Sequence, residues 1–331
     1  MLLPHEEWHA RAMRAVRCST HGIETRSVDP DPPSAFPGED LVRVRTRSVS
    51  ICQTDVALSG FGALPFTPGH EFAGLLDDGT AVGVEPLAPC GRCRFCLRND
   101  YHFCEKGHAM VLGVGRNGGM AEEVLVPRRG IVPLPTGLDV ADACLIEPLS
   151  VHLHALGLAR LEGRHRVCVV GANRTGFGLL GGAAALDRGC EVDFDESAPH
   201  ALAAAERIGL GLRPTDLYDV VIEADGSEEA IARAAERCAP GGTVLLVAGY
   251  YTEFKQFRML PLVAKELTVV FGTYYGHHAA GRDVDGAAAL LARRPEIARA
   301  VVSHRLPLDA AREAFALVQS DTPSLKVVLE P

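Results

Sequence analysis

The sequence predicts an α/β protein of two domains. One is built on a doubly wound parallel sheet, and the other is mainly β, barrel-like, and carries a four-cysteine lobe. Three observations predict it. Between residues 75 and 135, short apolar runs alternate with Gly, Pro and Asp turns, the punctuation of antiparallel strands or a small barrel. From Arg166 to Asp195 the order is apolar strand, glycine-containing turn, Ala/Leu/Gly-rich helix and second strand, the pattern of a parallel βαβ unit. Within the first region, Cys90, Cys93, Cys96 and Cys104 stand at C-x2-C-x2-C-x7-C.

The bulk properties fit this division. A chain of 331 residues is long for one core, so two domains are expected. Its 47% hydrophobic and 23% charged residues describe an ordinary globular protein. A net charge of −9, with acids and bases interspersed, argues against nucleic acid or an anionic membrane as partner. No apolar run approaches the roughly 18 residues of a membrane span. Residues 1–16 carry Glu and Arg throughout and lack the apolar core of a signal peptide. The expectation is a cytoplasmic protein whose thiols stay reduced. Met13 is a second possible start, which makes residues 1–12 an expected N-terminal extension.

Four cysteines within fifteen residues can present four thiolates to one tetrahedral metal, with Zn–S bonds of about 2.3 Å. A closed set of four soft ligands makes a structural zinc site. Upstream, Leu41-Val42-Arg43-Val44-Arg45 alternates as a half-buried strand and leads to Cys52-Gln53-Thr54-Asp55. Thr67-Pro68-Gly69-His70-Glu71 follows. Cys52, His70 and Glu71 are each acceptable to zinc, but spacing alone does not join them.

In that order, Cys-x-x-Asp, Gly-His-Glu, the cysteine lobe and Glu147-Pro148-Leu149 resemble the zinc-dependent medium-chain alcohol and polyol dehydrogenases, in the branch that includes sorbitol and threonine dehydrogenases. The resemblance spans about residues 13–331. It implies a dinucleotide-binding domain over 151–276 and a catalytic domain over 13–150 and 277–331, with the zinc lobe at about 88–106. It also implies that Cys52, His70 and Glu71 bind a catalytic zinc, and that Asp55 orients His70. Thr54 would take the proton of the substrate hydroxyl. Glu147 stands where many alcohol dehydrogenases have a cysteine, and would face the metal directly or through its water. Two features depart from the family. Cys52 and His70 are 18 positions apart, a short interval, and Ala57 occupies a place where many members end a proton relay with histidine. Proton exit then needs another group or water. His152 and His154 are near in sequence, without a reason to choose either.

In the second domain, Arg166–Gly171 reads as a buried parallel strand, 177–188 as a helix, and Cys190–Asp195 as the next strand. Asp195 lies 19 residues after Gly176, near the distance expected of a carboxylate on the adenosine ribose. An acid there would repel a 2′-phosphate, which favours NAD over NADP. The fingerprint Gly171-Ala172-Asn173-Arg174-Thr175-Gly176 is atypical, with Asn173 in place of the second glycine. Arg174 is a candidate phosphate contact beside a helix N-terminus. Only 23 residues separate Asp195 from the strand at Asp219, so an element on the adenine side is expected to be missing. By analogy with the family, nicotinamide contacts are expected from Ala248-Gly249-Tyr250 and Phe271-Gly272-Thr273. Tyr274, Tyr275, His277 and His278 are candidates for setting substrate selectivity. The chain closes on a short strand from Lys326.

The function implied is hydride transfer between a secondary alcohol, in a polyol, sugar or cyclitol, and NAD. Zinc acts as Lewis acid there, with two zinc ions per chain. The partners implied are a small alcohol or ketone and a further copy of the chain, in a homodimer or homotetramer. The alternatives are a zinc-binding relative without redox turnover, or a zinc hydrolase or lyase on the same metal site.

Overall fold

A computed structural model of the chain describes residues 12–31, 39–214, 217–249, 258–272, 274–278 and 281–331. Residues 1–11 of the expected extension, Tyr250 and Thr273 lie outside the described residues. The chain divides into two compact units. The first comprises Met1–Glu147, His304–Thr322 and Val327–Pro331, and the second Pro148–Ser303 and Pro323–Lys326. Among the described residues, no helix is long and apolar enough to cross a membrane.

The first unit opens with β1 (Met13–Ser19) and β2 (Gly22–Val28), an antiparallel hairpin. It continues through β3 (Leu41–Ser50), α1 (Gln53–Ser59), β4 (Glu71–Leu75), β5 (Ala81–Val84), α2 (Arg94–Leu97, within the cysteine lobe), β6 (Glu123–Pro127) and β7 (Ile131–Pro133). β3 is central. Its first half pairs with β6 and its second half with β4, both antiparallel. The alternation read from the sequence is seen there, with Val42 and Val44 buried and Arg45 exposed.

The second unit runs from α3 (Ile146–Leu158) through β8 (Arg166–Val170), α4 (Phe177–Asp187), β9 (Glu191–Asp195), α5 (Pro199–Ile208), β10 (Tyr218–Glu223), α6 (Glu228–Arg237), β11 (Cys238–Leu246), α7 (Met259–Ala264) and β12 (Thr268–Phe271). A short hairpin follows, β13 (His277–His278) and β14 (Gly281–Arg282), then α8 (Asp283–Arg293) and α9 (Glu296–Val301). Five parallel strands stand in the order β12-β11-β10-β8-β9. A six-stranded doubly wound sheet would place another strand beside β9. Among the described residues only Gly211 bridges to that edge, through Phe194 N–H to Gly211 O at 2.8 Å and Gly211 N–H to Val192 O at 2.8 Å. The short interval after Asp195 thus has a structural counterpart. α4 is buried from Gly178 to Ala185, and its small side chains let it lie close to the strands.

The chain returns to the first unit with β15 (Val302–Pro307), α10 (Ala311–Gln319) and β16 (Lys326–Glu330), which pairs with β3. That return comes at His304, later than the boundary near 277 that the family resemblance implies. The reason is packing. α8 and α9 bury Val284, Leu290, Leu291, Ile297 and Val301, and α9 lies against α4 and α5. In the first unit, Leu308, Ala311, Ala314, Phe315 and Val318 join Val42, Val44, Phe72 and Val126 in one apolar cluster. The tail is therefore part of that core. Phe315→Ala should destabilise the protein by about 3–5 kcal/mol in urea unfolding. A loss below about 1 kcal/mol, the scale of a surface substitution, would show that α10 is not part of the core.

Candidate metal and dinucleotide sites

The four lobe cysteines bring their sulfurs within 4.8 Å of one another and are all free thiols. Cys93 Sγ lies 3.4 Å from Cys96 Sγ, and Cys90 Sγ 3.9 Å from Cys96 Sγ. These separations bracket the about 3.8 Å between thiolates placed tetrahedrally around zinc at about 2.3 Å. Backbone amides point at the sulfurs: Cys90 N–H donates to Cys104 Sγ and Cys93 N–H to Cys90 Sγ. Backbone N–H groups of Cys96 and Glu105 hold the Cys93 thiol down to about 6, while burial pushes Cys96 up to about 12. Without a cation the four cannot all ionise, and a divalent metal resolves that conflict. The lobe is anchored by Tyr101 Oη, which donates to buried Glu85.

The second group consists of Cys52, His70 and Glu71, whose ligand atoms also lie within 4.8 Å. Cys52 precedes α1, and Glu71 opens β4 opposite Ser50, the last residue of β3. The Ser50 hydroxyl donates to the Glu71 carboxylate, and both residues are fully buried. Thr54 Oγ1 lies 3.5 Å from Cys52 Sγ.

Asp55 brings these pieces together. Its carboxylate is fully buried and accepts Cys52 N–H at 2.9 Å and Gly69 N–H at 3.1 Å. One acid thereby joins the start of α1 to the residue before His70. Gly69 has φ +96°, and a Cβ there would stand 2.7 Å from Met120 Cγ and 2.9 Å from Val49 Cγ2. Only glycine fits. The expected contact of Asp55 with the imidazole is looser, because His70 Nδ1 stands 3.7 Å from Asp55 Oδ1, beyond hydrogen-bond range. Asp55 positions His70 chiefly through the backbone. Among the described residues, His70 Nδ1 is buried without a hydrogen-bond partner. Burial alone would lower the His70 pKa, but the Cys52 thiolate and the Asp55 carboxylate raise it well above the usual histidine range. Two anions that draw a proton to this imidazole would draw a divalent cation to the same place, so the donor set fits zinc. Glu147 does not belong to the group within 4.8 Å. It is buried in the first turn of α3.

In the second unit, the expected dinucleotide residues gather at the carboxyl ends of the parallel strands, where such folds bind ligands. Gly171 follows β8, Asp195 ends β9, and Ala248 and Gly249 follow β11. Asn173 adopts φ +49°, the left-handed conformation that asparagine tolerates. Its Oδ1 accepts both Thr175 N–H and Thr175 Oγ1–H at 2.7 Å, and its Nδ2 donates to Ala224 O at 3.1 Å. The side chain is thus folded into the turn. Arg174 is exposed, and Gly176 caps the 11-residue α4 with φ +66°. Asp195 is not a bare acid. Its Oδ2 lies 2.8 Å from Arg237 Nε and 3.8 Å from Arg233 Nε.

Several working residues escape a reading of the sequence. Ser50 faces Glu71 only through strand register, and Arg237 reaches Asp195 across 42 residues. Gly178 is required because a Cβ there would sit 2.0 Å from Gly171 O. Glu196 accepts the N–H groups of Ala172, Ser197 and Ala198. Burial pushes its carboxyl up, but those amides outweigh burial and hold it below the usual range. The adjacent Asp195-Glu196 pair was the available signal.

Asp55→Ala should leave Cys52 N–H and Gly69 N–H without their acceptor, at roughly 1–3 kcal/mol for each buried orphan. We expect a lower urea midpoint and reduced zinc content after gel filtration. Unchanged zinc and stability would remove Asp55 from this role.

The chain can now be set beside known proteins. Residues 38–136 match the alcohol dehydrogenase GroES-like domain. The chain is 28% identical to galactitol 1-phosphate 5-dehydrogenase of Escherichia coli (strain K12), over 96% of this chain and 100% of that one. It is 30% identical to D-altritol 5-dehydrogenase of Agrobacterium fabrum, over 88% of this chain and 92% of that one. Its fold matches a crystal structure from Sinorhizobium meliloti 1021, described as a zinc-binding dehydrogenase and bound to NADP. That match has a TM-score of 0.82 and 26% identity, over 97% of this chain and 100% of the other. On these likenesses the chain belongs to the zinc-type alcohol and polyol dehydrogenases.

Proposed function

We propose that this chain oxidises a secondary hydroxyl of a polyol or sugar-type alcohol, and reduces the matching ketone, with a nicotinamide dinucleotide as redox partner. The observation that carries this reading is the convergence of Cys52, His70 and Glu71 beside Thr54 in a member of this family. The polyol class is taken from the relatives named for galactitol 1-phosphate and D-altritol.

Zinc held by Cys52, His70 and Glu71 would supply a Lewis acid that lowers the pKa of the substrate hydroxyl. The Thr54 hydroxyl accepts the proton that this hydroxyl loses and passes it to water, since Ala57 offers no imidazole. A nicotinamide dinucleotide held by the second unit would supply the acceptor for the carbon-bound hydrogen as hydride, so that alcohol and NAD+ would give ketone, NADH and a proton. Ser50 holds Glu71, and Asp55 holds the backbone on both sides of the group, so the donors need little reorganisation. Glu147 would face the metal directly or through its water. A second zinc in the cysteine lobe is structural.

The turn from Gly171 to Gly176 and the N-terminus of α4 hold the pyrophosphate, with Arg174 as a cation at its edge. Ala248 and Gly249 border the nicotinamide. Asp195 binds the adenosine ribose diol and selects NAD, while Arg237 and Arg233 balance its charge. The Sinorhizobium relative carries NADP, so cofactor choice rests here on Asp195 itself.

The test is a fluorescence titration of the zinc-loaded protein with NADH and, separately, NADPH. Wild type should bind NADH more tightly. Asp195→Ala should weaken NADH roughly ten-fold or more, the scale of a lost charge-assisted hydrogen bond of about 1.5–3 kcal/mol. The same change frees two guanidinium groups and should strengthen NADPH. Tighter NADPH in wild type would overturn the NAD preference. Saturable binding of neither would overturn the dehydrogenase reading.

A further inference from the structure

A third cluster of donors lies wholly within the second unit, apart from the Cys52 group and the cysteine lobe. His154 Nδ1, on α3, stands 3.0 Å from His278 Nε2, at the end of β13, and 3.1 Å from Asp283 Oδ2, at the start of α8. His278 Nε2 is 3.2 Å from the same carboxylate oxygen. Three donor atoms from three elements therefore form a nearly equilateral triangle.

Hydrogen bonding alone does not satisfy this triangle. A carboxylate oxygen only accepts, and a neutral imidazole nitrogen either donates or accepts. If both nitrogens donate to Asp283, two N–H groups face each other across 3.0 Å. If one imidazole donates to the other, the accepting nitrogen directs its lone pair at the carboxylate. A cation bound among the three donor atoms removes both conflicts. With metal–ligand bonds of about 2.0–2.2 Å, ligand atoms lie about 3.3 Å apart in tetrahedral geometry and about 3.0 Å apart at octahedral right angles. The observed separations fall in that range.

The cluster is also braced by the backbone. Asp283 Oδ2 accepts Gly276 N–H at 2.9 Å, while Asp283 N–H donates to Gly276 O at 3.0 Å, which fixes the carboxylate against the residue before β13. His154 and Asp283 are buried, and His278 is half-exposed, so one side opens to water. Two imidazoles and one carboxylate with open positions are ligands that first-row divalent metals accept.

We propose that His154, His278 and Asp283 form a divalent transition-metal site, of the zinc class, separate from the cysteine lobe and from the Cys52 group. A metal there clips the β13–β14 hairpin and the start of α8 to α3. Gly272 already lies against α3 beside Ala155, where a Cβ would approach Ala155 Cβ to 2.5 Å, so the clip stiffens the segment that follows β12.

Zinc per chain should be measured by plasma mass spectrometry in wild type, His278→Ala and Asp283→Asn, all purified in zinc-containing buffer and gel-filtered. His278 is half-exposed, and asparagine retains the oxygen that accepts Gly276 N–H, so both variants should fold. Wild type should hold one zinc per chain more than either variant. Cobalt exchanged into wild type should give d–d absorption from this site without added thiolate charge transfer, and both variants should lose only that component. Equal zinc in the three proteins, or cobalt spectra unchanged by both substitutions, would overturn the site.

Discussion

The Asp55 carboxylate is the constraint on which the Cys52, His70 and Glu71 group depends. Cys52 and His70 belong to separate segments, one just before a helix and the other just before a strand. One buried acid accepts a backbone N–H from each side, at Cys52 and at Gly69, and so fixes both donors. The glycine cannot be replaced, because its conformation and the nearness of Met120 and Val49 leave no room for a Cβ. An uncompensated carboxylate in this position would be costly, so the two amides stabilise the charge while the charge organises the loop.

The same logic of unsatisfied charge recurs in the other clusters. In the lobe, amides depress one thiol while burial raises another, an arrangement that a divalent cation completes. Around His70, a thiolate and a carboxylate pull against burial. In the second unit, Asp195 takes its counter-charge from Arg237, and Glu196 takes its own from three backbone amides. Asp195 and Glu196 are thus each held by partners within the second unit.

What was legible in the sequence was local. The cysteine spacing, the Gly-His-Glu run and the strand–turn–helix at Arg166 each lie within a few turns of chain, and each is found where its pattern places it. The 23-residue interval after Asp195 correctly signalled a reduced sheet edge, now held by Gly211. Asn173 was legible as a departure from the fingerprint. Its left-handed backbone and inward side chain were not, because they depend on Ala224 and Thr175 folding around it. Contacts set by register or by long loops were illegible. Ser50 meets Glu71 only once β3 and β4 are paired, and His154 meets His278 and Asp283 across 124 and 129 residues. The domain return near 277 followed the family pattern, whereas the apolar faces of α8 and α9 keep those helices with the second unit.

The central claim is that Cys52, His70 and Glu71 hold a zinc ion distinct from that of the lobe. Anomalous diffraction at the zinc absorption edge, from crystals of the protein as purified, tests it most directly. The account predicts a peak within bonding distance of Cys52 Sγ and a nitrogen of His70, in addition to one among the four lobe sulfurs. A peak in the lobe with none at Cys52, in crystals grown with zinc present, would contradict it.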